Sequence, residues 1–416
     1  MNTLAPLRYA PFRFLLAGRT VNALGNAVAP IALAFAVLDL TGSPRDLGLV
    51  VGIRTLANVV FVLFGGVLAD RLPRHLVMVG ACLAAVGTQA AVAATVLTGT
   101  ATVPVLAALS AVNGMVSALS WPAVAAILPQ TVPADVRQQA NALNRLFFNA
   151  AAIVGAALGG VLVAAVGPGW GLAVDAGTFG LAAICFSLVR VSGPATSAAG
   201  PSGNVLAELR AGWTEFRTRT WLWVVVAGFC VVNATLSGGL NVLGPVVADA
   251  TIGRRAWGFV LAAETVGMIL GAIIAMRVRV RRLLLLGVVC TAVEVLPLLA
   301  LGVSPVVWVL LAAAFVTGVA IEQFSVAWDT TMQEHIPADK LARVYSYDML
   351  GSLLAMPIGQ VVAGPVAEAI GTERTLIGGA ALIALAVAGM LASRDVRHLQ
   401  HRLPAPAEPV VEQSAP

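Results

Sequence analysis

The side chains able to do chemistry in this sequence sit in runs that are otherwise fit for lipid. Glu322 lies in AAAFVTGVAIEQFSVAWD, where Gly318, Ser325 and Asp329 share its helical face. Arg19, Asn22, Asn26 and Pro30 follow one another at helical spacing, as do Asn113, Ser117 and Ser120, and again Asn233, Ser237 and Asn241. A charge at the centre of a bilayer costs about 2.5–3.5 kcal/mol on insertion scales, so such residues should face protein or a wet cavity. The four stripes are therefore candidate cavity linings, and Arg54 of the second apolar run is placed with them. A carboxyl in that setting can take a proton from one side and yield it to the other, which makes Glu322 the candidate coupling residue. The plainer alternative is a permanent pairing of Glu322 with Arg19 or Arg54.

Three other acids interrupt apolar text, and their roles stay open. Glu264 shares a face with Gly267, Gly271 and Ala275, which suits a close helix contact with a structural hydrogen bond. Glu294 stands three residues before Pro297 and could satisfy backbone groups freed by a kink. Asp175 could pair locally.

Other chemistries lack their residues. A phosphate-binding loop needs G-x-x-x-x-G-K-[ST], and the sole lysine, Lys340, follows Asp339. Neither a G-x-S-x-G elbow nor an HExxH pair occurs. His75, His335, His398 and His401 fall at run ends or in the tail, and Cys82, Cys185, Cys230 and Cys290 each sit singly in apolar text. No enzyme activity, cofactor or metal is expected.

The elements that must position these residues follow from composition. The 416 residues are 59% hydrophobic and 11% charged, with mean hydropathy +0.91, whereas soluble domains carry about a quarter charged residues. Apolar runs able to cross a ~30 Å hydrocarbon core recur at 14–38, 47–69, 76–98, 103–128, 141–166, 170–189, 221–247, 257–276, 283–302, 305–328, 343–370 and 372–392. The expectation is an all-α membrane protein of twelve transmembrane helices. The first run is too long for a signal peptide and reads as a retained span.

Arginine crowds into every second connection. The alternate ones hold only Arg45, Arg254, Arg255 and Arg374, which predicts both termini in the cytoplasm. The formal net charge of +5 is spread through these short gaps and forms no basic domain, so nucleic acid is not an expected partner. The bilayer, a small-molecule substrate and protons are the expected partners, the chain itself being monomeric.

The expected organisation is a six-helix bundle over 1–189, a cytoplasmic linker over 190–220, a second six-helix bundle over 221–392 and a disordered tail over 393–416. Within the linker, Val205, Leu209, Trp213 and Phe216 share one face of a predicted amphipathic helix capped by Asn204. The two bundles repeat each other. Pro-Ala-Asp recurs in VPADV and IPADK, and at the same spacing of 204 residues Gly155, Gly160 and Gly167 meet Gly359, Gly364 and Gly371. An even number of spans per half makes the repeat parallel, a transporter signature.

GGVLADRLPRH at 65–75 resembles the loop 2–3 signature of the major facilitator superfamily, through Gly66, Asp70, Arg71 and Arg74, with Pro73 where many members have Gly. LTGSP, VPADVRQQANAL and WDTTMQEHIPADKLARVYSYD look like the bacterial macrolide-efflux and enterobactin-exporter-like branch. GAALGG, carrying the packing glycines Gly155, Gly159 and Gly160, is similar to the antiporter signature of span five, with Ala156 in place of its Pro. The resemblance implies the major facilitator fold and export of drug- or siderophore-like molecules by proton antiport. It also implies that the four polar stripes line a central cavity and that Asp70 with its arginines latches the cytoplasmic helix ends. A facilitator or importer of a polar metabolite is the alternative, and a non-transporting receptor or assembly partner is the alternative of another class.

Overall fold

The computed structural model describes residues 4–71, 74–189, 213–214, 216–278 and 280–401. Their side chains are described except at 63–71, 74–75, 119–126, 134, 338–339 and 342–343. The described chain is helical throughout. The first half comprises α1 (Ala10–Thr41), α2 (Pro44–Arg71), α3 (Arg74–Leu97), α4 (Val103–Ile127), α5 (Arg137–Val166) and α6 (Pro168–Ser187). The second half comprises α7 (Thr220–Ala250), α8 (Arg254–Ala275), α9 (Leu283–Val303), α10 (Val307–His335), α11 (338–370) and α12 (Thr372–Ala392). Ten of these helices are long and apolar enough to cross a membrane, and the apolar part of α4 is shorter.

Helix boundaries have local causes. Gly42 adopts φ 65°, donates its N–H to the Leu38 carbonyl at 2.8 Å and ends α1 in a left-handed cap. Ser43 then accepts the Asp46 N–H at 3.2 Å while Pro44 opens α2. Gly167 and Gly371, matched in the repeat, both have positive φ and turn the chain directly into α6 and α12. The expected kink in α9 is present as a 3-10 segment, Ala292–Glu294, just before Pro297. A π-helical segment, Gly239–Leu243, interrupts α7 ahead of Pro245.

Some helices outrun their apolar text. α5 starts at Arg137 and α10 continues to His335, so the polar residues flanking those runs extend the same helices. Lys340 and Arg343 belong to α11 and not to a loop. The Trp213 ring stacks on Phe216 with centroids 5.6 Å apart, and both meet Tyr347. The rest of the predicted linker helix, and the tail after His401, lie outside the described residues.

Small residues let the helix backbones approach. In the first half α1 packs on α5 and α6, α2 on α4, and α3 on α4 and α6; the second half repeats every one of these pairs six helices later. Individual contacts repeat too. A Cβ on Gly114 would strike the Arg54 carbonyl oxygen, and one on Gly318 would strike that of Glu264. Gly155 meets Leu24 in α1, and Gly359 meets Ala234 in α7. The halves join along two seams, α5 against α8 and α2 against α11.

Candidate functional site

The strongest polar contacts between the halves lie at the end of the molecule opposite both termini. Arg254, the first residue of α8, forks onto Asp39 of α1, with Nη1 donating to Oδ2 at 2.9 Å and Nη2 donating to Oδ1. Its Nε donates to Asp249 at 2.7 Å, and its guanidinium lies 4.8 Å from the centre of the Phe35 ring. Planar, two-point pairing of this kind is what arginine does better than lysine. At the other seam Ser43 donates its hydroxyl to Glu368 at 2.9 Å.

Glycines bring the backbones together beneath these side chains. A Cβ on Gly160 would stand 2.8 Å from the Arg254 carbonyl oxygen and 2.9 Å from the Gly258 Cα, closer than real side chains come. Gly364 meets Pro44 and Arg45 in the same way, and Gly48 and Gly258 abut the carbonyls of Gln360 and Ala156. Gly160 thus packs across the halves, whereas Gly155 and Gly159 pack on α1 within their own half. The hydrogen bonds from Ser43 to Glu368 and from Arg254 to Asp39 join the halves at this end.

Between the seams, Glu322 of α10 is half-buried with its Cβ against Gly271. It lies within electrostatic reach of Arg145 on α5, across the molecular divide, and of Asp329 on its own helix. Arg19 and Asn22 are half-buried on α1, and exposed Asn26 donates to the Asn22 side-chain oxygen at 2.6 Å. Asp329 accepts from the Tyr345 hydroxyl at 3.1 Å.

Other members of the predicted stripes turn into helix contacts. Asn113 is 1% exposed and donates to Thr88 of α3 at 3.2 Å; Ser117 beside it is half-buried. Ser237 is 3% exposed and accepts from Gln360 of α11 at 2.7 Å and from Asn241 at 3.3 Å, and Asn233 donates to the Ser352 carbonyl. Helical spacing identifies a polar face but does not say whether it meets water or a neighbouring helix. Arg54 faces Asp175 electrostatically and not Glu322, while Asp175 accepts from Gln89. At the close contact expected of Glu264 it is the backbone carbonyl, set against Gly318, that touches.

For the loop 2–3 group the backbone ends α2 at Arg71 and starts α3 at Arg74. The side chains of Gly66, Asp70, Arg71 and Arg74 lie outside those described. The sealing residues Asp39, Asp249, Ser43 and Glu368 escaped notice in the sequence, where Arg254 stood only as a loop charge. An apolar cavity of about 500 Å³ opens between α7, α11 and α12, lined by Thr235, Gly239, Leu298, Gly379 and Arg374 among others. It lies within the second half, and none of the stripe residues lines it.

The model of the Major Facilitator Superfamily matches residues 15–359. The chain belongs to this superfamily. It is a multi-pass membrane transporter and not an enzyme. It is 28% identical over 389 residues to the multidrug efflux pump Tap of Mycolicibacterium fortuitum, covering 88% of this chain and 91% of that one. It is 27% identical to the enterobactin exporter EntS of Shigella boydii, over 63% of this chain and 62% of that one. Its fold is similar to the crystal structure of the nucleoside transporter NupG, with TM-score 0.73 at 12% identity, covering 94% and 99% of the two chains. A bacterial homologue of the iron transporter ferroportin gives TM-score 0.70 at 16% identity, over 92% and 98%.

Proposed function

We propose that this protein exports amphipathic, drug- or siderophore-like molecules by alternating access, in exchange for protons, across a bacterial cytoplasmic membrane with both termini inside. The observation that carries the reading is one-sidedness: the described bonds between the halves gather at the end opposite the termini. With the arginine-rich connections inside, that end is the outer one, and in this reading the halves part toward the cytoplasm, where an exporter loads. The names of the relatives, an efflux pump and an exporter, support the same direction.

In this scheme the halves 1–189 and 221–392 rock as a monomer about their two seams. When the Arg254 seal parts, Asp70, Arg71 and Arg74 close the inner helix ends, a carboxylate there being able to pair with arginines or a helix N-terminus. Glu322 accepts the proton. It stands within electrostatic range of Arg145 in the other half, so its charge state changes the attraction between the two halves. Arg19, Asn22, Asn26 and Asp329 supply polar contacts to the cargo.

Flux in proteoliposomes under an imposed pH gradient tests the proposal. Substrate movement that follows the gradient supports exchange, movement indifferent to it indicates a facilitator, and no movement indicates a partner protein. Glu322→Gln should abolish gradient-driven export while the protein still folds and inserts. Normal export by that variant removes Glu322 from the mechanism.

A further inference from the structure

The apolar cavity of the second half takes no part in the seams or the polar stripes, and it has the form of a groove. Its walls are two rows at helical spacing. On α11 the row is Ile358, Val362, Val366 and Ile370, and on α12 it is Arg374, Gly378 and Leu382. Gly238, whose Cβ would strike the Gly359 carbonyl oxygen, holds α7 and α11 together between them. A Cβ on Gly378 would meet nothing within 4 Å, so this wall is open where any other residue would narrow it.

The repeated fold alone supplies neither wall nor mouth. At the spacing of 204 residues the first half has Val174 in the place of Gly378 and Trp170 in the place of Arg374. The second half has thus lost a side chain inside the groove and gained a cation at its end.

Length and polarity select the occupant. Ile358 and Ile370 are 12 residues apart, which at 1.5 Å per residue is about 18 Å, close to half of a ~30 Å hydrocarbon core. The groove therefore runs about one leaflet deep from the turn at Gly371. A spanning helix, from a second copy or another protein, would need a groove through the whole core. Ile358 is 62% exposed and Leu382 51%, so the groove opens sideways to lipid. Its volume, about 500 Å³, suits a bound small molecule.

Thr375 donates its hydroxyl to the Gly371 carbonyl at 2.8 Å, and Thr235 turns a methyl toward Gly379. Arg374 is the charged member of the lining, is exposed, and has no hydrogen bond or ion pair among the described residues. Glu373 leaves the helix about 100° away and does not line the groove. A guanidinium pairs with phosphate through two parallel N–H donors, and here it stands at the water end of an apolar slot.

We propose that this groove binds one membrane phospholipid, with an acyl chain lying between α11 and α12 and the phosphate held by Arg374. Under the orientation proposed above the lipid belongs to the outer leaflet. The site itself does not depend on transport.

The test adds a defined lipid to purified, delipidated full-length protein in detergent and counts bound molecules by native mass spectrometry. The probes are dioleoylphosphatidylglycerol and dioleoylglycerol, which lacks the phosphate; a photoreactive acyl chain on the first locates the contact. One saturable phospholipid per chain is expected, cross-linked to peptides of α11 and α12. Gly378→Leu fills the groove without striking a neighbour and should weaken that binding at least about tenfold. Arg374→Ala should weaken phosphatidylglycerol about fivefold and leave dioleoylglycerol unchanged. Cross-links spread over all the lipid-facing helices, or wild-type binding by Gly378→Leu, would reduce the groove to ordinary bilayer contact and overturn the site. Equal affinity of the wild type for both probes would overturn the role given to Arg374. A dimer that Gly378→Leu abolishes would assign the groove to a second copy and overturn the lipid.

Discussion

The two seams between the halves are built on one contact and dressed differently. In both, a glycine of the fifth or eleventh helix presses on the carbonyl that starts the eighth or second: Gly160 on Arg254, and Gly364 on Pro44. Above that shared contact the α5–α8 seam carries Arg254, which is gripped by Asp39 and Asp249. Those aspartates are themselves counterparts, each five residues before the start of its next helix. The place matching Arg254 holds Pro44, so two acids share one base. The α2–α11 seam carries a hydroxyl–carboxylate bond, Ser43 to Glu368. Close backbone packing is thus the common device, and the arginine–aspartate pairing is an addition at the α5–α8 seam.

Overpacking should break both seams alike and give the largest effect. Gly258→Leu or Gly48→Leu places a side chain against a carbonyl, a clash that costs about 1–3 kcal/mol. The sealed population should fall roughly tenfold or more in each variant, measured as spin-label distances across that end. A response from the Gly258 variant alone would show that the two seams are not equivalent.

Arg254→Ala should have a middle effect. Asp39 is 43% exposed, so water screens the pair and its loss costs about 1 kcal/mol, roughly a fivefold opening. Added salt should open the wild type and leave the variant unmoved; equal salt response in both would strip the charged seam of its role. Glu368→Ala should be smallest, about twofold, because it loses one exposed hydrogen bond. An effect as large as that of Arg254→Ala would erase the distinction between the seams.

The spans were legible because lipid demands long apolar helices, and the repeat because Pro-Ala-Asp is rare text in such company. The charged seal was not. The spacing of 204 residues holds from α4 onward, but Arg54 and Glu264, or Asp39 and Asp249, are 210 residues apart. α2 has 28 residues where α8 has 22, and that difference shifts the register. With one offset in hand, the paired aspartates and the contrast between Arg54 and Glu264 stayed hidden. Asn113 and Ser237 went astray for another reason: a polar stripe looks the same whether it meets a cavity or another helix's hydroxyl.

A joint made of carbonyl against glycine has no rotamers to adjust. Long side chains can stretch and still touch, but Gly160 and Gly258 either nest or part, since nothing on them can bridge a small gap. Single-molecule distances across that end should therefore fall into two separate classes instead of one broad one. The seal would work less like a spring than like a snap fastener, and its crossing time would be brief compared with its dwell on either side.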